Sequence, residues 1–184
     1  PKPQNPKTPK PRFNQISWET NNYIADKMSG SGYDDSVIYL SPEGKIFQIE
    51  YADKAVETSN MIIGVVCKDG VLLGAEKVVI TKLLVPQTDK WIYGITRSSG
   101  LIVNGVIPDG RNIMYRGRKE SSEYKNIFGI EITGKVLSER LGMYMHQHTC
   151  YYGYRPFGAS ALVGAYDPIH GYTLHQLEPS GACI

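Results

Sequence analysis

Four histidines and three cysteines are the side chains of this 184-residue chain best suited to hold a metal or act as nucleophile: His146, His148, His170, His175, Cys67, Cys150 and Cys183. His146 and His148 fall in a helical pattern, where residues two apart point in different directions and cannot share an ion as a one-turn pair would. His148 sits on the apolar stripe of that helix and reads as a packing residue. No carboxylate or cysteine stands at ligand spacing to change this, since Cys150 is again two positions away. The chain has no phosphate loop, no Gly-x-Ser-x-Gly elbow and no His-Glu-x-x-His. "GYRPFG" lacks the strand-to-helix setting of a dinucleotide site. Two of the cysteines lie inside apolar patterns, which predicts small buried hydrophobes in a reducing, intracellular compartment. No cofactor or metal is expected.

The stretch "RNIMYRGRKESSEYK" carries Arg111, Arg116, Arg118 and Lys119, but Glu120 and Glu123 follow at once and neutralise half of it. It reads as a solvated or subunit-facing helix rather than a nucleic-acid face. A net charge of +2 is too small to argue for binding nucleic acid or an anionic membrane. No apolar run approaches the roughly 20 residues that span a bilayer. The N-terminal residues lack the apolar centre of a secretory signal.

Residues 1–31 form a Pro/Lys-rich extension, with five of the eleven prolines within the first eleven residues, and are expected to be extended and mobile. Residues 32–184 are expected to form one domain. "YLSPEGKIFQIEYADKAVE" predicts a helix opened by Ser41 and Pro42. Its stripe of Ile46, Ile49, Ala52, Ala55 and Val56 is widened by Phe47 and Tyr51, so the helix has two apolar faces and is expected to have two partners. "MIIGVVC" and "VLLGAEKVVI" form a hairpin across Lys68-Asp69-Gly70, and "WIYGI" and "LIVNGVI" another across Ser98-Ser99-Gly100. These strands are apolar on both faces and must be covered on both. Asp109 is expected to cap a helix to about Asn126, and Thr133 one to about Tyr151. A third hairpin joins "ASALVGAY" to "YTLHQL". This order predicts an α+β fold, two antiparallel sheets face to face with helices outside. Another strand begins at "EPSGACI", so the domain is expected to be C-terminally incomplete.

"GYDDSVIYLSPEGKIFQIEYADKAVE" resembles the signature of proteasome alpha subunits: Tyr-Asp, then Ser-Pro-x-Gly, then Phe-Gln-x-Glu-Tyr-Ala, then Ala-Val. The likeness continues through "GVIPDGR", "RPFG" and "EPSG". "TKLLVPQ", "RGRKE" and "HTCYYGYRPFG" are most similar to the alpha-7 class, also called alpha type 3. The resemblance implies the αββα four-layer sandwich of N-terminal-nucleophile hydrolases. It also implies a leading helix across the top of the sandwich that contacts a neighbouring subunit through Phe47, Gln48, Glu50, Tyr51 and Ala52. It implies a non-catalytic role, because Asn60 stands where catalytic subunits of this fold carry their threonine. A gate-holding cluster maps onto Tyr33, Asp34, Pro42 and Tyr51. The lysine that pairs with an activator's C-terminal carboxylate falls on Trp91, which cannot make that ion pair. Asp35 replaces a common arginine after Tyr-Asp. The implied partners are neighbouring alpha subunits, the beta ring and regulatory particles, in cytoplasm and nucleus. The alternatives are an autonomous threonine-type peptidase and a nucleic-acid-binding protein working through the basic tail.

Overall fold

The computed structural model describes residues 32–184 except 79, 80, 82, 84 and 86–89. The predicted extension, residues 1–31, lies outside the described residues, as does most of "TKLLVPQ". The elements run α1 (Phe47–Glu57), β1 (Ile62–Val66), β2 (Val71–Ala75), β3 (Ile92–Gly94), β4 (Ser99–Gly105), α2 (Ile107–Phe128), α3 (Gly134–Cys150), β5 (Ala159–Asp167) and β6 (Gly171–Leu177). All strand pairs are antiparallel, in a two-stranded sheet β1-β2 and a four-stranded sheet β3-β4-β5-β6. The three predicted hairpins are therefore present. The second turns over Ile95–Ser98 rather than Ser98–Gly100, with the Ile95 and Thr96 amides both donating to the Ser99 carbonyl. Beyond β6 the chain pairs once more, as Gln176 and Ile184 exchange backbone hydrogen bonds at 2.8 and 2.9 Å.

The strands of the larger sheet are apolar on both faces because both faces are covered. Leu101, Val103, Ala161, Val163, Ala165 and Leu177 are buried, and most of them pack with Ile113, Met114, Leu137, Leu141 and Met145 of α2 and α3. Each such side chain contributes about 1.5–3 kcal/mol through burial, with alanines less. Helix and sheet approach closely enough that a Cβ built on Gly110 would lie 2.0 Å from Val103 Cγ1. On the opposite face, Leu162 and Leu174 reach Gly64 of β1, and Val71 of β2 meets Gly164. The two sheets thus pack face to face. Ile63, Val65 and Leu72 point outward from the smaller sheet and are exposed. The described residues supply three of the four expected layers, without a helix layer on that outer face.

The leading helix opens later than the sequence suggested. Ser41 and Pro42 belong to a turn, in which the Gly44 amide donates to the Ser41 carbonyl at 2.8 Å and the Lys45 amide to Ser41 Oγ at 3.1 Å. Gly44 has φ +79°, a left-handed conformation that ends the turn and cannot continue into a helix. The serine oxygen is used inside the turn, and α1 starts at Phe47 with no side-chain cap. It lies across the end of the larger sheet where β4 finishes and β5 begins. There Asn104 of β4 accepts from the Ser59 hydroxyl and donates to the Val56 carbonyl, and Ala55 faces Gly158.

Thr133 caps α3 as expected, accepting from the Val136 amide. Asp109 does not cap α2, which starts at Ile107 after Val106; its carboxylate sits inside the first turn and points elsewhere. Cys67 and Cys150 depart from the burial expected of them, being exposed, and all three cysteines are free. Cys67 follows the end of β1 and Cys150 is the last residue of α3, so each sits where its element leaves the core. Among the described residues no helix is long and apolar enough to cross a membrane.

Candidate functional site

The residues singled out around α1 are brought together in part. Phe47 and Tyr51, one turn apart, stack with ring centroids 6.4 Å apart. On the same helix Gln48 donates its side-chain amide to the Asp34 backbone carbonyl. The Tyr51 hydroxyl lies near enough to the Asp34 carboxylate to feel its charge. Burial raises the Tyr51 hydroxyl above its ordinary value, and the negative charge of Asp34 adds to this, so the phenol stays protonated beside the carboxylate. Asp34 is therefore tied to α1 through its backbone, with its carboxylate near Tyr51. Val37 anchors the chain just beyond it, being buried, while Ile38, Tyr39 and Leu40 face solvent. Tyr33 is exposed next to Asp34, and Pro42 is exposed in the 41–44 turn. The structure thus brings Asp34, Tyr51 and Gln48 together, and leaves Tyr33 and Pro42 at the surface.

Of the remaining helix positions, Ala52 is buried against the fold. Glu50 is exposed and pairs with Lys45 at 3.0 Å, which raises the ammonium's proton affinity. Asn60 is half-buried between α1 and β1, directly after the anchored Ser59. Trp91 extends the β3 ladder by one residue, its carbonyl accepting from the Val103 amide at 3.0 Å.

A group that sequence reasoning missed holds the other end of this region. Asp109, 8% exposed, takes both Arg155 guanidinium nitrogens at 2.7 and 2.9 Å and the Gly158 amide at 2.9 Å. Burial alone would raise this carboxyl, but the Arg155 fork and the Gly158 amide outweigh it and hold it below the ordinary carboxylate range. The ion pair fastens "RPFG" onto the first turn of α2, beside the sheet end where α1 rests. Both residues lie in stretches already singled out, "GVIPDGR" and "RPFG", but nothing in a 46-residue separation pairs them.

A family profile described as "Proteasome subunit" matches residues 56–184. The chain belongs to the proteasome subunit family. It is 42% identical over 152 residues to "Proteasome subunit alpha type-3" of Arabidopsis thaliana, covering 83% of this chain and 61% of the relative. It is 43% identical to the protein of that name from Acanthamoeba castellanii, over 83% of this chain and 60% of the relative. It is 44% identical to "Probable proteasome subunit alpha type-7" of Saccharomyces cerevisiae, over 83% of this chain and 53% of the relative. The alpha-type resemblance and the class read from "RGRKE" and "HTCYYGYRPFG" agree with these matches. The chain spans about three fifths of the length of the first two relatives and about half of the third.

In this proteasome-family chain His148 and several basic residues take up structural positions. His148 packs on Phe157 and Tyr144 at centroid distances of 4.4 and 4.9 Å, and its Nδ1 meets the Tyr144 carbonyl at 3.0 Å. Arg116 and Arg140 pair with the buried Glu120 at 2.6 and 3.1 Å, and Arg118 donates twice to the Gly94 carbonyl. Arg116 and Arg118 of the basic stretch are therefore spent on the fold itself. Among the described residues no group of three His, Cys, Asp or Glu is placed to hold a metal ion.

Proposed function

We propose that this chain is a non-catalytic structural and gating subunit of the alpha ring of the 20S proteasome core. Its partners are neighbouring alpha subunits, the beta ring and regulatory particles, and its work supports ubiquitin-dependent protein degradation in cytoplasm and nucleus. The observation that carries this reading is the chain path into β1. A threonine-type enzyme of this architecture needs a nucleophile at a free N-terminus, whose amine serves as base. Here Asn60 enters β1 from α1, and Ser59 and Val56 bond to Asn104 of β4. Freeing an amine at Asn60 would remove a helix that the sheet end holds, and an amide side chain is no nucleophile.

The outer side of α1, with Glu50 and Tyr51 exposed and Phe47 and Gln48 half-buried, is the surface offered to a neighbouring subunit, with the buried Ala52 setting its depth. The approach of the Tyr51 hydroxyl to the Asp34 carboxylate is the gate-holding contact, with Tyr33 and Pro42 exposed at the surface. A hydroxyl on a carboxylate at a half-exposed site can be made and broken at small cost, which suits a two-state turn. Trp91 leaves the activator pocket at this subunit without its lysine.

The test is a tagged pull-down from the source cells under native salt, with mass spectrometry of the partners and a peptidase assay. Recovery of six other alpha-type and seven beta-type partners is expected, with activity unchanged by Asn60→Ala. A chain recovered alone, or activity lost with Asn60→Ala, overturns the reading.

A further inference from the structure

His146 and Cys150 stand one turn apart on α3, and Cys150 Sγ lies 3.3 Å from His146 Nε2. The other ring nitrogen, Nδ1, lies 3.1 Å from the Ser180 backbone carbonyl. A carbonyl oxygen only accepts, so in the neutral ring Nδ1 carries the proton. Thr149 agrees with this tautomer. Its hydroxyl donates to the His146 carbonyl at 2.7 Å, leaving its oxygen to accept from Nδ1 at 3.3 Å. The Nε2 lone pair therefore faces the thiol and can receive its proton.

The orienting carbonyl is held by a close approach of two glycines. Gly181 has φ +88°, and a Cβ there would lie 2.5 Å from His146 Cβ and 2.6 Å from the Gly142 carbonyl. From the helix side, a Cβ on Gly142 would lie 2.8 Å from the Gly181 carbonyl. Only with both side chains absent does the 178–182 turn come down far enough to set Ser180 on the ring. His146 and Cys150 are both exposed, so a small reactant can reach them.

We propose that Cys150 and His146 form a thiol–imidazole pair that makes Cys150 a site of reversible modification by low-molecular-weight disulfides. Cys150 Sγ attacks one sulfur of the disulfide while His146 Nε2 takes the thiol proton. The new Sγ–S bond forms as the old S–S bond breaks. The departing sulfur leaves with the electron pair and recovers the proton from His146 as a free thiol. Cys150 is oxidised to a mixed disulfide, the released half is reduced, and a second thiol reverses the step.

The other two thiols supply controls within the same molecule. Cys67 is exposed in the β1-β2 turn without an imidazole beside it. Burial pushes the Cys183 thiol above its ordinary value, which marks it as the slow one. The full chain is treated with bis(2-hydroxyethyl) disulfide, and the three cysteine peptides are followed by mass spectrometry over time. Cys150 is expected to react roughly tenfold faster than Cys67. His146→Gln is expected to bring Cys150 down to the Cys67 rate, with Cys67 and Cys183 unchanged; the constant Cys183 rate reports an intact fold. Equal rates at Cys150 and Cys67 in the unaltered chain overturn the proposal without any variant. So does a Cys150 rate that survives His146→Gln.

Discussion

Replacing Asp109 by Asn tests the account of the ion pair that fastens "RPFG" to α2. The change keeps the shape of the side chain and removes its charge. Two effects add. The Arg155 fork, at 2.7 and 2.9 Å, is lost as an ion pair. Hydrogen bonds to charged groups are worth about 1.5–3 kcal/mol, but the Arg155 side chain is 66% exposed. Solvent screening brings that part down to about 1 kcal/mol or less. The Gly158 amide then donates to a neutral oxygen in place of a carboxylate, in a buried setting, which weakens that bond by about 1 kcal/mol. Asp109→Asn should therefore cost about 2 kcal/mol, and Arg155→Ala, which leaves the Gly158 bond intact, about 1 kcal/mol. Urea denaturation of the full chain and both variants gives these values. The pH dependence has a fixed sign. The folded-state value of Asp109 is depressed, so its stabilisation is present above the unfolded carboxyl value of about 3.9 and is lost as pH falls through the lower folded value. The gap between wild type and Asp109→Asn should hold from about pH 7 to 5 and close below about 4. A gap that widens in acid, or an Arg155→Ala cost equal to that of Asp109→Asn, refutes the reasoning.

Three further outcomes are expected. Gly110→Ala places a methyl 2.0 Å from Val103 Cγ1 and should cost about 1–3 kcal/mol by overpacking; adding Val103→Ala should recover part of it, and urea midpoints of the single and double variants decide. Tyr51→Phe removes the hydroxyl beside the Asp34 carboxylate, an expected loss of about 1 kcal/mol, and should lower activator-stimulated peptide hydrolysis by the assembled particle about fivefold while unstimulated hydrolysis stays the same. Trp91→Lys should raise the particle's affinity for a peptide bearing an activator-type C-terminal carboxylate. Unchanged binding would mean that this position does not line the pocket.

Local chemistry wrote much of the fold openly. The three hairpins, the Thr133 cap and the helical stripe of α3 are legible because turn residues and hydrophobic periods act over a few positions. The apolar pattern on both strand faces announced a covered sheet, and the structure shows α2 and α3 on one side and β1-β2 on the other. The family signature was legible for the same reason, since its motifs are short and contiguous. Where several local uses compete for one group, the sequence misled. Ser41 has an oxygen equally able to cap a helix or close a turn, and Gly44 decides for the turn. The cysteines were read from flanking apolar residues, yet Cys67 and Cys150 stand at the ends of their elements, where that apolar surroundings stops.

What only the tertiary structure decided lies between distant segments. Asp109 meets Arg155, Asp34 meets Tyr51 of α1, and Ser180 orients the His146 ring. The Cys150–His146 spacing of four is present in the sequence, but only the turn that lands Ser180 on the ring fixes which nitrogen faces the thiol. The physical reason is common to all three. A charged or polar side chain advertises that it needs a partner, whereas the partner's identity follows from where packing brings the backbone. That is set by the sum of many non-directional apolar contacts across the core.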